Sequence, residues 1–306
     1  MMKLTSKHLL TIRQLTPAEV LGLVARAAEL KTGWAAGYRP RPLADKCVAL
    51  IFEKASTRTR VSFEVGTSQL GGRSIFMTSR DSQLGRSEPL RDTARVLSRY
   101  VDAVVVRTFG QEVVEELARF GSIPVINALT DLYHPCQVLS DLLTVSERRG
   151  DLAALKYAWI GDGNNMAHSW LEAAAQLKLE LRLACPEGFD PRPEIVEHAR
   201  RQGAVILLTR DPRQAIAGAD VVSTDVWASM GQEDDASRRQ ALFAGFTLDQ
   251  ALLSLAAKDA MVLHCLPAHR GEEISDEVME GPRSVVWDQA ENRLHMQKAI
   301  MEALVV

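Results

Sequence analysis

The sequence predicts an α/β fold in which two doubly wound parallel-sheet domains are joined by helices and the C-terminal helix packs back on the first domain. Short apolar runs alternate with longer segments of helical periodicity, a pattern typical of strands that helices cover on both faces. The alternation is interrupted at Gly150-Asp151 and then restarts, which indicates a domain boundary. A chain of 306 residues is long enough for two such domains, or for one large one.

The composition excludes several classes of protein. Hydrophobic residues make up 46% and charged residues 25% of the chain, and the net charge of -3 gives no general attraction to nucleic acid or to anionic membranes. No apolar run approaches the roughly 20 residues of a membrane helix, and the N-terminus lacks the apolar core of a signal peptide. The four cysteines are scattered and form no Cys-x-x-Cys pair. We therefore expect a cytoplasmic protein without a disulfide framework, and no nucleic acid or membrane as a partner.

The first predicted elements lead to a polar junction between a strand and a helix. The segment Thr16-Pro17-Ala18-Glu19 has the pattern of a capping box and predicts a helix that continues to Gly33. The apolar run from Val48 to Phe52 predicts a buried strand. The next segment, from Arg58 to Leu70, has a helical pattern and ends at Gly71-Gly72, a plausible C-cap.

This junction has the chemistry of a phosphate site. Ser56, Thr57, Arg58 and Thr59 lie where the strand gives way to the helix N-terminus. Free backbone N–H groups, the positive end of the helix dipole, hydroxyl groups and a guanidinium group would converge there. The alternative interpretation is an N-cap serine followed by surface arginines.

Further polar residues follow other strands of the first half. A polar loop from Thr78 to Glu88 carries Gln83 and could close over a ligand. Arg107 ends the predicted strand Val104–Val106, and ligands of open α/β sheets bind beyond such strand ends. His134 and Gln137 come after another predicted strand and before the next helix, which we expect to begin at Val138.

The second half opens like a dinucleotide-binding fold, but the match is poor. A predicted strand, Tyr157–Ile160, is followed by the turn Gly161-Asp162-Gly163-Asn164-Asn165. The third glycine of the G-x-G-x-x-G pattern falls at Met166, and the second strand ends in Cys185-Pro186 instead of an acidic residue for a ribose. These departures disfavour a nicotinamide nucleotide, which is kept only as an alternative ligand.

The remaining strands of this half place two more groups of polar residues. We expect strands at Ala204–Leu208, Asp220–Ser223, Met261–His264 and Ser284–Trp287. Asp225 follows a strand and either caps a turn or binds a ligand, and a loop with Ser229 and Met230 comes next. In Cys265-Leu266-Pro267 the proline could be cis and turn carbonyl groups into a cleft, although trans is the more common isomer. The final amphipathic helix, from Asp288 to Leu304, carries Arg293 and is expected to brace the first domain.

These residues favour a group transfer from an acyl phosphate to an amine. The polar residues of the first half are cationic and rich in donors, which suits an anionic phosphorylated substrate. Those of the second half, Asn165, Asp225 and Ser229, suit an amine. No Walker loop, pair of metal-binding carboxylates or zinc cluster is visible, which disfavours a kinase or a metallohydrolase.

Four motifs resemble the signature of the ornithine carbamoyltransferases: Ser56-Thr57-Arg58-Thr59-Arg60, His134-Pro135-Cys136-Gln137, Asp225 with Ser229-Met230-Gly231, and His264-Cys265-Leu266-Pro267. The first two are shared with aspartate carbamoyltransferases and mark carbamoyl phosphate, whereas the last two point to ornithine. The resemblance implies a carbamoyl-phosphate-binding domain over residues 1–148, to which the helix 289–306 returns, and an ornithine-binding domain over residues 149–288. It implies a homotrimer or a multiple of trimers, and neither a cofactor nor a metal.

The resemblance also assigns roles to the matching residues. The phosphate of carbamoyl phosphate would be held by Ser56, Thr57, Arg58, Thr59 and Arg107, with Gln83 reaching it from a neighbouring subunit. The carbamoyl end would be held by His134, Gln137, Arg293 and the carbonyl groups of Cys265 and Leu266. Ornithine would be bound by Asn165, Asp225, Ser229 and Met230, with Asp225 and Cys265 near its side-chain amine. The catalytic residues would be Arg107, His134, Asp225 and Cys265.

Several functions stay open beside the transfer of a carbamoyl group to the δ-amine of L-ornithine, which gives L-citrulline and phosphate. A related carbamoyltransferase could act on putrescine or on N-acetylornithine. A nucleotide-dependent oxidoreductase would use the turn Gly161–Asn165, and a ligand-sensing relative would have lost catalysis. The direction of the reaction in arginine biosynthesis or catabolism does not follow from the sequence.

Overall fold

The chain folds into two compact units. The computed structural model describes residues 3–78, 88–228 and 236–306. The first unit comprises Met1–Leu143 and Asn292–Val306, and the second comprises Thr144–Glu291. Two helices, α5 (Pro135–Arg149) and α12 (Val286–Val305), run from one unit into the other.

A parallel sheet of four strands forms the centre of the first unit. The strands are β1 (Cys47–Phe52), β2 (Arg73–Thr78), β3 (Ala103–Arg107) and β4 (Val125–Leu129). Their order in the sheet is β2-β1-β3-β4, so the chain places β2 on one side of β1 and β3 on the other. The order of the strands thus reverses between β1 and β3. Doubly wound sheets bind ligands at this switch point, beyond the carboxyl ends of the two strands.

Helices and the N-terminal segment cover this sheet. The helices are α1 (Pro17–Ala35), α2 (Thr57–Gln69), α3 (Leu90–Tyr100), α4 (Gln111–Phe120) and the first part of α5. Alternate residues of β1 and β3, among them Ala49, Ile51 and Val104, form an apolar cluster with side chains of α3 and α4. Leu9 pairs with the outer edge of β4, where its N–H group donates to the carbonyl oxygen of Val125 at 2.9 Å. The segment therefore shields backbone groups of an edge strand.

The second unit is built on a parallel sheet of five strands. They are β5 (Lys156–Ile160), β6 (Glu180–Ala184), β7 (Val205–Thr209), β8 (Val221–Thr224) and β9 (Met261–His264). The order is β7-β6-β5-β8-β9, which puts the switch point of this unit between β5 and β8. The helices are α6 (Asn165–Leu177), α7 (Pro193–Arg201), α8 (Pro212–Ile216), α9 (Ala236–Leu242), α10 (Gln250–Leu253) and α11 (Asp276–Met279).

The last part of α12 completes the first unit, which confirms the prediction for the C-terminal helix. Glu302 accepts hydrogen bonds from Arg26 of α1 at 2.6 and 3.0 Å. Lys298 donates to Gln69 at 2.9 Å, and Thr67 of α2 donates to the sulfur of Met301 at 3.4 Å. No helix within the described residues has the length and apolar character needed to cross a membrane.

Two of the predicted elements are wrong in ways that have a physical cause. The predicted strand at Ser284–Trp287 is a single bridge between Ser284 and Val262, and α12 begins at Val286. So short an apolar run fits a strand and a buried first helical turn equally well, and Val286 is fully buried in the second unit. The helix expected from Val138 begins at Pro135, so Gln137 lies in its first turn.

Candidate active site

The junction at the carboxyl end of β1 is a helix N-terminus rich in hydroxyl groups. Ser56 is the N-cap of α2, and its hydroxyl oxygen accepts a hydrogen bond from the backbone N–H of Thr59 at 3.2 Å. The same hydroxyl donates to Oγ1 of Thr59 at 2.9 Å. Nε of Arg58 is buried and has no hydrogen-bond acceptor among the described residues. The N-cap interpretation of Ser56 is therefore correct, and it coexists with the donors that an anion requires.

Arg107 brings a second guanidinium group to this switch point. It is the last residue of β3, is only 8% exposed, and lies beside Phe52 in the register of the sheet. The backbone N–H of Glu53 donates to its carbonyl oxygen at 2.8 Å, which joins the carboxyl ends of β1 and β3. Buried cations at such a position favour an anionic ligand.

His134 is held in its uncharged form in the first unit. Burial is the largest cause, and the nearby charges of Arg293 and Arg107 act in the same direction, so the pKa of His134 lies well below its usual value of 6.5. A neutral imidazole can donate a hydrogen bond from one nitrogen and accept one at the other. It can therefore polarise a carbonyl group without adding a positive charge.

Arg293 links three elements that are distant in the sequence. From α12 it donates to Oε1 of Gln137 at 2.8 Å and to Oγ1 of Thr59 at 2.6 Å. Gln137 in turn donates from its amide nitrogen to Oδ1 of Asp141 at 2.8 Å. The structure thus brings Thr59, Gln137 and Arg293 together, with Asp141 behind them. Their roles as ligands stay predictions.

Asp225 occupies the switch point of the second unit. It follows β8, and its Oδ1 accepts from the backbone N–H of Val226 at 2.8 Å and from the thiol of Cys265 at 3.0 Å. Its Oδ2 accepts from the side-chain amide of Asn164 at 3.0 Å. The carboxylate is 7% exposed. Asp225 and Cys265 therefore contact each other, and their role toward an amine stays a prediction.

The segment after β9 is anchored by a buried histidine and a buried glutamate. The backbone N–H of Leu266 donates to Nδ1 of His264 at 2.9 Å, so the ring proton lies on Nε2, which donates to Oε1 of Glu273 at 3.0 Å. The same oxygen accepts from the backbone N–H of His269 at 2.6 Å. The peptide bond between Leu266 and Pro267 is cis, not the more common trans isomer.

The turn after β5 leaves little room for a dinucleotide. The N–H group of Gly163 donates to the carbonyl oxygen of Phe189 at 2.8 Å, and a side chain at Gly163 would meet the backbone nitrogen of Pro191 at 2.2 Å. The loop that leads to α7 therefore packs on the turn itself. Asn164 also caps the first N–H groups of α6, which a pyrophosphate would need. These contacts argue against the nicotinamide alternative.

Two groups of potential metal ligands occur among the described residues: Asp225, His264 and Cys265 in the first, and His269, Glu272 and Glu273 in the second. In the first group, both ring nitrogens of His264 are already engaged. In the second group, Oε1 of Glu273 already accepts two hydrogen bonds. The contacts of His264 therefore disfavour a metal in the first group. In the second group, Oε2 of Glu273 is buried and has no hydrogen-bond partner among the described residues.

Some predicted residues lie outside the described part of the chain, and some residues that contact the site were missed. Gln83, Ser229 and Met230 fall outside the described residues. The sequence analysis did not single out Asp141, Asn164 or Glu273. Asp141 could have been found, because it lies four residues after Gln137 on one helix. No local pattern connects Glu273 with His264.

Comparison with known proteins identifies both units. The family model for the aspartate/ornithine carbamoyltransferase carbamoyl-P binding domain matches residues 7–147, and the model for the Asp/Orn binding domain of the same family matches residues 153–304. The chain is 57% identical over 300 residues to the ornithine carbamoyltransferase of Geobacter sulfurreducens, covering 98% of this chain and 99% of that protein. It is 61% identical over 296 residues to that of Nitratidesulfovibrio vulgaris, covering 97% and 98%.

A solved structure agrees with these sequence matches. The ornithine carbamoyltransferase of Pyrococcus furiosus superimposes with a TM-score of 0.94 at 45% identity, covering 97% of this chain and 96% of that one. The chain therefore belongs to the aspartate/ornithine carbamoyltransferase family.

Proposed function

We propose that this protein transfers the carbamoyl group of carbamoyl phosphate to the δ-amine of L-ornithine, which yields L-citrulline and phosphate. One observation carries the proposal: relatives that are 57–61% identical over nearly the whole chain are ornithine carbamoyltransferases. The geometry supports it, because one switch point is lined by buried cations and hydroxyl groups and the other by a buried carboxylate.

In this proposal the first unit binds carbamoyl phosphate. Ser56, Thr57, Arg58, Thr59 and Arg107 hold the phosphate, since the helix N-terminus supplies N–H donors and the arginines supply charge. His134, Gln137 and Arg293 hold the carbamoyl end. The backbone carbonyl groups of Cys265 and Leu266 are predicted to accept hydrogen bonds from the amide of the carbamoyl group.

Transfer requires stabilisation of the charge that develops as the amine attacks. The carbonyl oxygen becomes negative while the bond to the phosphate oxygen breaks, and the guanidinium groups and His134 offset this charge. Loss of one preorganised donor of this kind raises the activation free energy by about 3–4 kcal/mol. The departing phosphate takes the proton of the amine, so the protein supplies no separate base. The proposal includes no cofactor.

The second unit binds ornithine in this proposal. Asn165, Asp225, Ser229 and Met230 are its ligands, and Asp225 with Cys265 lies near the side-chain amine. The amine must be neutral when it attacks, because a protonated amine has no free electron pair. A carboxylate that already accepts three hydrogen bonds is positioned to orient this amine.

The experiment that tests the function is a citrulline assay with competing amines. Carbamoyl phosphate is offered with ornithine, N-acetylornithine, putrescine and aspartate in turn. We expect the highest kcat/KM with ornithine. Faster turnover with putrescine or with N-acetylornithine would contradict the proposed substrate, and no turnover with any amine would favour a ligand-sensing relative.

We also propose that the protein assembles as a trimer in which Gln83 reaches the phosphate of a neighbouring subunit. Exposed apolar residues on α2 and on the edge strand β2 support a covered surface: Val61 is 50% exposed, Val65 38% and Ile75 49%. Light scattering should give the mass of three chains or of a multiple of three. Mixing a Gln83→Ala with an Arg107→Ala variant should restore activity if the sites are shared, and a monomeric mass would contradict the proposal.

A cytoplasmic location completes the proposal. None of the four cysteines, all of which the structure describes, forms a disulfide, and Cys136 and Cys185 are buried. Thiols of this kind persist in a reducing compartment.

A further inference from the structure

Asn164 connects the start of α6 with Asp225. Its Oδ1 accepts from the backbone N–H groups of Met166 and Ala167 at 2.9 and 3.3 Å, which is the geometry of an N-cap. Its amide nitrogen donates to Oδ2 of Asp225 at 3.0 Å. One side chain therefore fulfils two functions on opposite sides of the amide group.

The orientation of this amide is determined by its surroundings. The two backbone N–H groups of α6 can only donate, so the atom that faces them must be the oxygen. The nitrogen then faces Asp225, whose carboxylate can only accept when it is ionised. The helix thus fixes a donor against Oδ2 of Asp225, and this donor is attached to the first turn of a buried element.

The cap alone does not require asparagine. Serine and aspartate cap helices about as well as asparagine, because each offers an oxygen to the same N–H groups. An ionised aspartate has no hydrogen to donate, and the hydroxyl of serine lies one bond closer to the main chain than the amide nitrogen of asparagine, so neither reproduces the contact with Asp225. The second function of Asn164 therefore depends on its amide nitrogen.

We propose that Asn164 is the positioning residue of Asp225 and, resting on the proposed function, that it sets the orientation of the carboxylate that receives an amine of ornithine. Cys265 and the N–H of Val226 hold Oδ1, and Asn164 holds Oδ2. Without Asn164 the carboxylate can rotate about the Cα–Cβ and Cβ–Cγ bonds, and the second oxygen no longer has a fixed direction. Asn164 acts through Asp225 and not on the substrate.

Two variants separate this role from helix capping. Asn164→Ser keeps the cap and removes the donor, so we expect kcat/KM for ornithine to fall about 10- to 100-fold while KM for carbamoyl phosphate changes by less than about two-fold. The melting temperature should stay close to that of the wild type. Equal losses for both substrates, or unchanged ornithine kinetics, would overturn the proposal.

Asn164→Asp keeps the cap but places a second carboxylate against Asp225. Two carboxylates at this distance share a proton, so the acid limb of kcat/KM for ornithine should move up by at least about one pH unit. Among the described residues, the titratable groups that face Asp225 are His264 and Cys265, whose side-chain atoms lie within 4.8 Å of it. Asp162 is also near and pairs with Arg239 at 2.7 Å. All four groups are the same in every variant. An acid limb identical to that of the wild type would contradict the proposal, since a purely structural residue would not move it.

A crystal structure of Asn164→Ser gives a readout that does not depend on activity. We expect the carboxylate of Asp225 to leave its wild-type orientation. If it stays within about 0.5 Å of that position, the inference is wrong even where the enzyme is active. If the wild type forms no citrulline but Asp225 moves in the variant, the proposed function fails and the positioning role stands.

Discussion

At the scale of single residues, the amide of Gln137 at the first unit's switch point is held between two groups of opposite charge. Arg293 can only donate and Asp141 can only accept when ionised, so the amide of Gln137 between them has one orientation. His134 is kept neutral by burial and by two guanidinium groups. The site thus presents donors and acceptors in directions that are set before a ligand arrives.

Arg58 provides the most direct test of the phosphate site. Its buried Nε has no acceptor among the described residues, so a phosphate oxygen is the acceptor that we expect there. Arg58→Ala should lower kcat about 10²- to 10³-fold. Arg60→Ala is the matched control, because Arg60 is exposed, pairs with Glu64 at 3.2 Å, and should change kcat by less than about two-fold. Equal effects of the two substitutions would contradict the assignment.

Asp141 should matter for the carbamoyl end and not for the phosphate. Asp141→Leu removes the acceptor of the buried amide of Gln137, so KM for carbamoyl phosphate should rise about ten-fold. Inhibition by inorganic phosphate, which lacks a carbamoyl group, should be unchanged. Asp141→Asn keeps an acceptor oxygen, so its KM for carbamoyl phosphate should lie between those of the wild type and Asp141→Leu. A parallel loss of phosphate inhibition would show that the whole site had collapsed.

The neutral state of His134 should make the fold sensitive to acid. The unfolded chain binds a proton near the ordinary pKa of 6.5, whereas the folded chain does so only at lower pH, so stability falls as the pH drops below that value and is unaffected above it. The melting temperature of the wild type should therefore fall more than that of His134→Asn between about pH 7.5 and about pH 5.5. Because His8, whose pKa is also lowered, is present in both proteins, identical slopes would count against a buried neutral His134.

At the scale of elements, the turns after β1 and β5 occupy equivalent places at two switch points but are built differently. The first turn leaves the N-terminus of α2 to hydroxyl groups and to the backbone. The second is covered by the loop before α7, which packs directly on Gly163. The same topology therefore presents an anion site in one unit and a carboxylate in the other.

Gly163 should tolerate no side chain. A Cβ atom would meet backbone atoms of Pro191 and Asp190 at 2.2 and 2.5 Å, and backbone cannot rotate away as a side chain can. Gly163→Ala should lower the free energy of unfolding by at least about 3 kcal/mol in a denaturant titration. Gly188 lies in the loop before α7 that packs on Gly163, and a Cβ atom there would meet no atom within 4 Å. Gly188→Ala should therefore lower the free energy of unfolding by only roughly 1–2 kcal/mol, the strain of a side chain at its positive φ of 81°. A smaller loss at Gly163 than at Gly188 would contradict this packing.

At the scale of the whole molecule, the first unit is complete only when the end of the chain returns to it. Arg26 and Glu302 are 276 residues apart and form a two-point ion pair, which raises the pKa of Arg26. The side chain of Glu302 is only 4% exposed. The contact therefore joins α1 to α12 across almost the whole length of the chain.

Removal of this contact should loosen one unit and leave the other intact. Glu302→Ala leaves a partly buried guanidinium group without its partner and should cost about 2–3 kcal/mol. Hydrogen exchange measured by mass spectrometry should accelerate in α1 and α12 but not in β5 to β9. Glu29→Ala removes the exposed partner of the same arginine and should cost less than about 0.5 kcal/mol. Uniform acceleration in both units would contradict an independent first unit.

Much of the architecture follows from local sequence patterns. Apolar runs and N-cap residues predicted the strands β1, β3, β5 and β9 and the start of α2 to within one or two residues, because periodicity and capping depend on neighbours in the chain. The errors fell where local signals are ambiguous: the short run at Ser284–Trp287 and the start of α5. The sequence leaves the isomer of Pro267 open, and in the structure it is cis.

The sequence by itself determined the fold class, the two groups of chemically distinct residues and the motifs that resemble the ornithine carbamoyltransferases. Only the tertiary structure decided which side chains meet: Arg293 with Thr59 and Gln137, Asn164 with Asp225, and His264 with Glu273. The physical reason is that the order of the strands and the return of the C-terminal helix bring together groups separated by up to 276 residues, and no local periodicity records such a contact. The orientation of an amide or a carboxylate depends on those distant partners.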